Sequence, residues 1–406
     1  MKILFVHEVS WQKKVTYEIH DYPELLQLRG HEVTFVEYDE KSSNDLRKTK
    51  PFKKHFWGTE SICTRAHLGS RVRIVTPWRL LPSMCGRLFA IFFHPLIILR
   101  ELIINKPDVI VIYSIPTNGW QTVLLARFFD IPTVFRAIDI PNSIRKTMFK
   151  RFIRTAERFV YQHVDMISTH NHSMAQYLQI NKASSTSISV ALPGVDLVRF
   201  FPKKPSDLIQ KKLGIDSSDQ VILFMGTLFS FSGIIEFLTC IENRLRTSEV
   251  HKVLIIGSGE DWDRINQTIV NLNLKHKVIV TGRIEYEYLN EYLNLGTIAI
   301  LPFKKNDVTN RALPWKIAQY MACGLPTVSI DLEGLVSVIE PNMGVSFAQS
   351  TEALVDDVYR LLKDKDLLDR LAIETRLAAE YLARWDDLIV EFDQFLTNIV
   401  NGKFTS

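Results

Sequence analysis

"RALPWKIAQYMACGLP" (residues 311–326) sets a proline, Pro314, ahead of Lys316 in the first turn of a short predicted helix, Trp315–Ala322, that stops at Cys323-Gly324. Proline suits the first helical turn, and glycine suits the residue just past the end. A lysine at this end has the wrong sign for the helix dipole. An anion bound there removes the conflict, because unpaired N–H groups at a helix start attract phosphate. Arg311 adds positive charge to the same end, and Gln319, three residues after Lys316, shares its face. The helix follows a predicted strand, "TIAILPF" (297–303). A strand, a loop and then a helix with an anion-seeking start is the ligand-binding arrangement of doubly wound sheets.

The same alternation runs through the chain. In the first half, strands are predicted at Lys2–His7, Glu32–Glu37, Arg71–Val75, Asp108–Tyr113, Thr133–Ala137, Asp165–Thr169 and Ser187–Ala191. Helical patterns lie between them at Tyr17–Arg29, Trp120–Phe129, Ile144–Gln162 and Ser173–Gln179. The second half repeats the plan with strands at Val221–Gly226, Lys252–Gly257, Lys277–Thr281, Thr297–Leu301 and Thr327–Ile330, and helices at Gly233–Leu245, Trp262–Asn271, Tyr286–Leu293 and Glu352–Lys363. Strands alternating with helices predict parallel sheets covered on both faces. The expected division is a Rossmann-like domain over 1–198, a linker over 199–219 with two prolines and a basic cluster, a second Rossmann-like domain over 220–384, and a C-terminal amphipathic helix over 385–406 that packs back toward the first domain. The two doubly wound α/β domains are expected to face a cleft, with ligands beyond the carboxyl ends of the strands.

Composition narrows the class. The chain has 406 residues, 46% hydrophobic and 23% charged, which is ordinary for a globular protein with a sizeable core. A net charge of +4 is too weak to point to nucleic acid, and fits an anionic ligand or a membrane surface. Cys63, Cys85, Cys240 and Cys323 are scattered without a CxxC pair, which favours a reducing compartment over a disulfide framework. The apolar run Met84–Ile104 is interrupted by Arg87, His94, Pro95, Arg100 and Glu101, and reads as a core helix rather than a membrane span.

Several stretches in order resemble glycosyltransferase family 4: "LRGHEVTFVE" (28–37), "INKPDVIVIY" (104–113), "ALPGVDLVRFFP" (191–202), "LIIGSGED" (254–261), "VIVTGRIEYEYLNEYLNLGTIAILPF" (278–303) and, most specifically, "LPWKIAQYMACGLPTV" (313–328). The resemblance covers most of the chain. It implies a GT-B fold, a nucleoside diphosphate sugar on the C-terminal domain, an acceptor on the N-terminal domain, and retention of configuration without a metal. It implies no cofactor beyond the nucleotide-sugar donor.

The departures from the family pattern are specific. Where the family has two glutamates separated by seven residues, this chain has Arg311 and Gln319. Where it has an arginine and a lysine in "MGTLFSFSGIIEF" (225–237), this chain has Thr227 and Ser232. Arg311 inverts the expected charge, whereas the Gln319 amide can still bond ribose hydroxyls. The expected donor site is Gly226, Thr227, Ser232, Gly233, Arg283, Arg311, Lys316 and Gln319. Asp139 and Arg311 are the candidate catalytic groups, with Asp139 as a base or hydroxyl anchor. The expected acceptor contacts are Trp11, Lys13, Lys14 and Arg136. Asp261 and Asp263 open a helix, where acids suit the dipole, and His170 and His172 lack ligand partners, so no metal site is expected. The expected partners are a nucleoside diphosphate sugar, a sugar or lipid-linked acceptor and a membrane surface. The expected location is cytoplasmic, peripheral at the inner face of the membrane. The alternative is a non-catalytic member that binds sugar or supports a partner transferase.

Overall fold

The computed structural model describes residues 1–38, 52–78, 83–140, 149–181, 188–247 and 251–402. It divides into two compact units, Met1–Ala191 with Asp386–Ser406, and Leu192–Trp385.

Unit 1 holds strands β1 (Lys2–Val6), β2 (Glu32–Val36), β3 (Lys53–His55), β4 (Gly58–Cys63), β5 (Val72–Pro77), β6 (Val109–Ile112), β7 (Thr133–Ala137), β8 (Met166–Thr169) and β9 (Ile188–Val190). They form one sheet in the order β3-β4-β5-β2-β1-β6-β7-β8-β9. All neighbours pair in parallel except β3–β4 and β4–β5. The strand order reverses between β1 and β6, the place where doubly wound sheets open toward ligands. The strands β3 and β4 were absent from the sequence reading, because "KKHFWGTESIC" lacks the Asn-Gly type of turn that marks a hairpin. Residues 144–148 of the expected helix Ile144–Gln162 and residue 187 of the last expected strand lie outside the described residues; the described helix is Lys150–His163. The apolar stretch 84–104 forms the helix Ser83–Ile104, and among the described residues no helix is long and apolar enough to cross a membrane.

The C-terminal helix Trp385–Val400 belongs to unit 1 from Asp386 onward. Phe392 packs on Tyr22 with ring centroids 4.3 Å apart. Asp393 accepts from Arg29 Nε at 2.7 Å and lies 2.8 Å from His31 Nε2.

Unit 2 holds β10 (Gln220–Met225), β11 (His251–Ile256), β12 (Val278–Gly282), β13 (Ile298–Leu301), β14 (Thr327–Ile330) and β15 (Val345–Ala348), all parallel, in the order β12-β11-β10-β13-β14-β15. Val221–Met225 and Ile298–Leu301 are buried throughout, as strands covered on both faces require. The reversal lies between β10 and β13. The stretch 199–219, expected to be a linker, is part of this unit: Phe200 and Ile215 sit in its core and Asp207–Leu213 is a helix. Its prolines and lysines dress a surface whose apolar residues point inward. The sequence reading also lacked β15 and the helix Lys365–Leu382, which packs against the helix Lys316–Ala322.

Candidate functional site

The unit 2 site stands at the reversal between β10 and β13. Tyr320, on the helix Lys316–Ala322, reaches the end of β10, where its hydroxyl accepts from Met225 N at 2.7 Å and donates to Met225 O at 3.2 Å. Trp315, just before the helix, donates through Nε1 to Gly194 O at 2.9 Å. These bonds fix the helix start over the strand ends. The turn there is tight: Ile317 N donates to Pro314 O and Ala318 N to Trp315 O.

Lys316 therefore extends over two rings, with Nζ 4.6 Å from the Phe303 centroid and 5.3 Å from that of Phe224. Its tip lies against Gly226, where a built Cβ would overlap Nζ. Among the described residues it has no carboxylate partner. The residue is half-buried, and the partial desolvation by the protein around it lowers its pKa to about 8. A cation set over aromatic faces, without a carboxylate partner among the described residues, is placed to take an anion.

The loop after β10 is sewn to the chain after β13. Lys304 N donates to Phe231 O at 2.9 Å, and the Phe231 and Phe303 rings meet edge to face at 5.7 Å. Gly233 has φ +71°, and a Cβ there would overlap the Pro302 carbonyl oxygen. The structure thus corrects the expected ligand contacts of Ser232 and Gly233: both are buried within the loop's own packing, and they shape the loop rather than line its surface. Thr227, by contrast, is exposed beside Gly226. Gln319 is half-buried, and its amide makes no hydrogen bond among the described residues. Arg311 is half-buried in the loop before the helix, which is pinned by Gly334 N donating to Asn310 O at 2.8 Å. Arg283 is exposed at the end of β12, two strands from β10. The structure brings Gly226, the loop 227–233, Phe303 and Lys316 together, and leaves Arg283 on the flank.

Unit 1 overturns two acceptor assignments. Arg136 is fully buried in β7, and all five of its N–H donors are used. Nε and Nη2 hold the two oxygens of Glu18 at 3.1 and 2.9 Å, Nη1 reaches Ser168 Oγ at 2.8 Å and Thr169 O at 3.4 Å, and Nη2 also reaches Ala191 O at 2.8 Å. No donor remains for an acceptor. His170 Nε2 completes the cluster 2.6 Å from Glu18 Oε2. Burial alone pushes the Glu18 carboxyl up, but the charges of Arg136 and His170 more than reverse this and hold it well below the carboxylate range. Trp11 is also fully buried, edge-on to His20 and Phe35 at 4.7 and 4.8 Å, so it is a core residue and not a surface contact.

Sequence reasoning missed Glu18. A charged residue in a central strand demands a buried carboxylate, but nothing in the spacing says which one, 118 residues away. Lys13 and Lys14 are half-buried in the loop after β1. Asp139 follows β7 and is exposed; its carboxyl is raised by the protein packed around it, opposed by His170, yet it has open access to water. Asp261 accepts from Arg264 Nη1 at 2.9 Å, and among the described residues no three His, Cys, Asp or Glu side chains are placed to hold a metal ion.

The family model Glycosyl transferases group 1 matches residues 205–377, and that of Glycosyltransferase Family 4 matches residues 20–199. A curated relative, N-acetyl-alpha-D-glucosaminyl L-malate synthase of Bacillus anthracis, is 19% identical over 61% of this chain and 64% of its own length, so the chain spans less than two thirds of that relative. Among solved structures, sucrose-phosphate synthase from Thermosynechococcus elongatus superposes with a TM-score of 0.78 at 14% identity, over 99% of both chains. The Anabaena protein HepE in complex with UDP and glucose superposes at 0.76 and 13% identity, over 98% of this chain and 100% of its own. These likenesses identify the fold as GT-B.

Proposed function

The chain belongs to glycosyltransferase family 4, and we propose that it moves a hexosyl group from a nucleoside diphosphate sugar to an acceptor hydroxyl. The observation that carries the reading is Lys316, an ammonium over two aromatic rings with no carboxylate partner among the described residues, at the strand reversal of unit 2. The bond between the anomeric carbon and the diphosphate oxygen breaks, and its electron pair stays on the diphosphate. The acceptor oxygen bonds to the anomeric carbon, and its proton leaves with the diphosphate or with Asp139. Lys316 stabilises the charge that grows on the leaving group, a large electrostatic term in such transfers. Arg311 supplies a cation that Thr227 and Ser232 do not, and Gln319 bonds the ribose hydroxyls. Lys13 and Lys14 contact the acceptor. The HepE complex with UDP and glucose, on the same fold, supports a nucleotide-sugar donor here.

The transfer retains configuration, needs no metal, and serves surface polysaccharide or glycolipid synthesis with a sugar or lipid-linked acceptor. A non-catalytic role is favoured by one observation: Thr227 and Ser232 stand where the family pattern has cations, and Ser232 is buried. The deciding experiment incubates the chain with a panel of nucleotide sugars in EDTA and follows the released sugar by NMR. Release of one sugar, first as the donor's anomer, supports retaining, metal-free transfer. Nucleotide binding without turnover on any donor or acceptor supports the second reading.

A further inference from the structure

At the carboxyl edge of the unit 1 sheet, β7 and β8 lie side by side, with Ala137 opposite Thr169. The residues that follow therefore emerge next to each other, Asp139 after β7 and His170 after β8. Asp139 is exposed, whereas His170 is only 8% exposed. The two are within electrostatic reach: the protein packed around Asp139 raises its carboxyl, and His170 is the foremost charge opposing that rise.

The His170 ring is fixed from behind. Its Nε2 lies 2.6 Å from Glu18 Oε2, and Arg136 holds both oxygens of that carboxylate. Burial of Glu18 is outweighed by the charges of Arg136 and His170, so the carboxylate is ionised and only accepts. Nε2 therefore carries the proton. The other nitrogen, Nδ1, is left with a lone pair in the neutral ring, and among the described residues it makes no hydrogen bond. His20 shows the contrast of a histidine used for packing, with both nitrogens engaged: Nδ1 lies 3.3 Å from Tyr17 O and Nε2 2.8 Å from Trp11 O.

We propose that His170 Nδ1 and Asp139 together hold two hydroxyls of a sugar acceptor. One hydroxyl donates to Nδ1 and the other to the Asp139 carboxylate, since two accepting groups side by side match hydroxyl donors. The oxygen held by Nδ1 keeps its lone pairs free for bond formation. Glu18 and Arg136 act through the ring, as positioning residues that set its tautomer and direction. The inference rests on the transfer reading for the ligand's role as acceptor; the subsite itself is a binding claim.

The test needs no turnover. Diethyl pyrocarbonate acylates a histidine nitrogen that has a free lone pair, and mass spectrometry of the labelled full chain reads each histidine. His170 should label and His20 should not. One of the methyl glycosides of glucose, galactose, mannose or N-acetylglucosamine, with uridine diphosphate present, should protect His170. Two variants then separate the ring nitrogens. The amide of His170→Gln reaches the place of Nε2 and keeps the bond to Glu18, whereas that of His170→Asn reaches only the place of Nδ1. The glutamine variant should keep the native melting temperature and bind the protecting glycoside about tenfold more weakly by saturation-transfer NMR, the size of one lost hydrogen bond. The asparagine variant should melt lower and bind the glycoside more tightly than the glutamine variant does. A His170 that does not label, or that labels equally with and without every glycoside, overturns the inference. Glutamine binding as tightly as asparagine, or more so, overturns it in favour of a purely structural histidine. Donor turnover without protection ends this inference alone, and protection without turnover on any donor ends the transferase reading alone.

Discussion

Lys316 places its ammonium in the space that a side chain on Gly226 would fill. The strand β10 ends one residue before that glycine, and Tyr320 bolts the lysine's helix to the same strand end. The position of the ammonium is therefore an outcome of backbone packing, with the cation held at the point where the strand order reverses.

Gly226→Ala follows directly. The methyl group would displace the flexible end of Lys316, and at φ +155° an alanine is also strained, so both the anion site and the fold should suffer. Uridine diphosphate affinity should fall at least about tenfold, or about 1.4 kcal/mol, and the melting temperature should fall as well. Calorimetric titration checks this, and unchanged affinity would sink the claim that the Lys316 position matters.

Gly233→Ala should act chiefly on stability. The glycine is left-handed and its neighbour is the Pro302 carbonyl oxygen, which cannot swing aside. Strain and overlap together should cost about 2–4 kcal/mol of stability by denaturant unfolding. A loss under about 0.5 kcal/mol, the size of an ordinary surface change, contradicts the packing described.

Arg136→Leu leaves Glu18 buried and partly unpaired, which should cost about 3–5 kcal/mol. The pH dependence has a definite sign. The Glu18 carboxyl is lowered in the folded state, so its contribution is complete above the unfolded value of about 4.3 and is lost as pH falls through the folded value. Glu18→Gln should remove that part of the acid-side decline, and an identical decline in the variant would contradict it.

Much of this fold is legible in the sequence because buried parallel strands are short continuous apolar runs, and "VILFM" (221–225) and "IAIL" (298–301) have no other reading between helical patterns. Lys316 was legible because its charge opposes the helix dipole. What was not legible depends on distant partners. Arg136 looks like a free cation at a strand end until Glu18 and His170 close around it, and Trp11 looks like a loop residue until His20 and Phe35 bury it. Ser232 illustrates a third case: it is buried, and whether a loop residue points in or out depends on packing that no spacing encodes.

The Lys316 pKa, lowered to about 8 by desolvation, makes nucleotide affinity pH-dependent. A bound diphosphate favours the charged form and raises the pKa, so affinity should be full below about pH 8 and fall as pH rises through that value in the free protein. Lys316→Arg, which stays charged, should remove this alkaline decline. A decline of the same size in the arginine variant assigns it to another group.

The most direct measurement is the pair of effects of Lys316→Met at neutral pH. In the ligand-free protein the partly desolvated ammonium is an unfavourable group, because its pKa lies below the unfolded value of about 10.4, so its removal should hold or raise the melting temperature. In calorimetric titration the same variant should bind uridine diphosphate at least about tenfold more weakly, the loss of one charge-assisted contact. An unaltered melting profile with unaltered nucleotide affinity would contradict the account, because the ammonium would then be neither strained by burial nor used by the ligand.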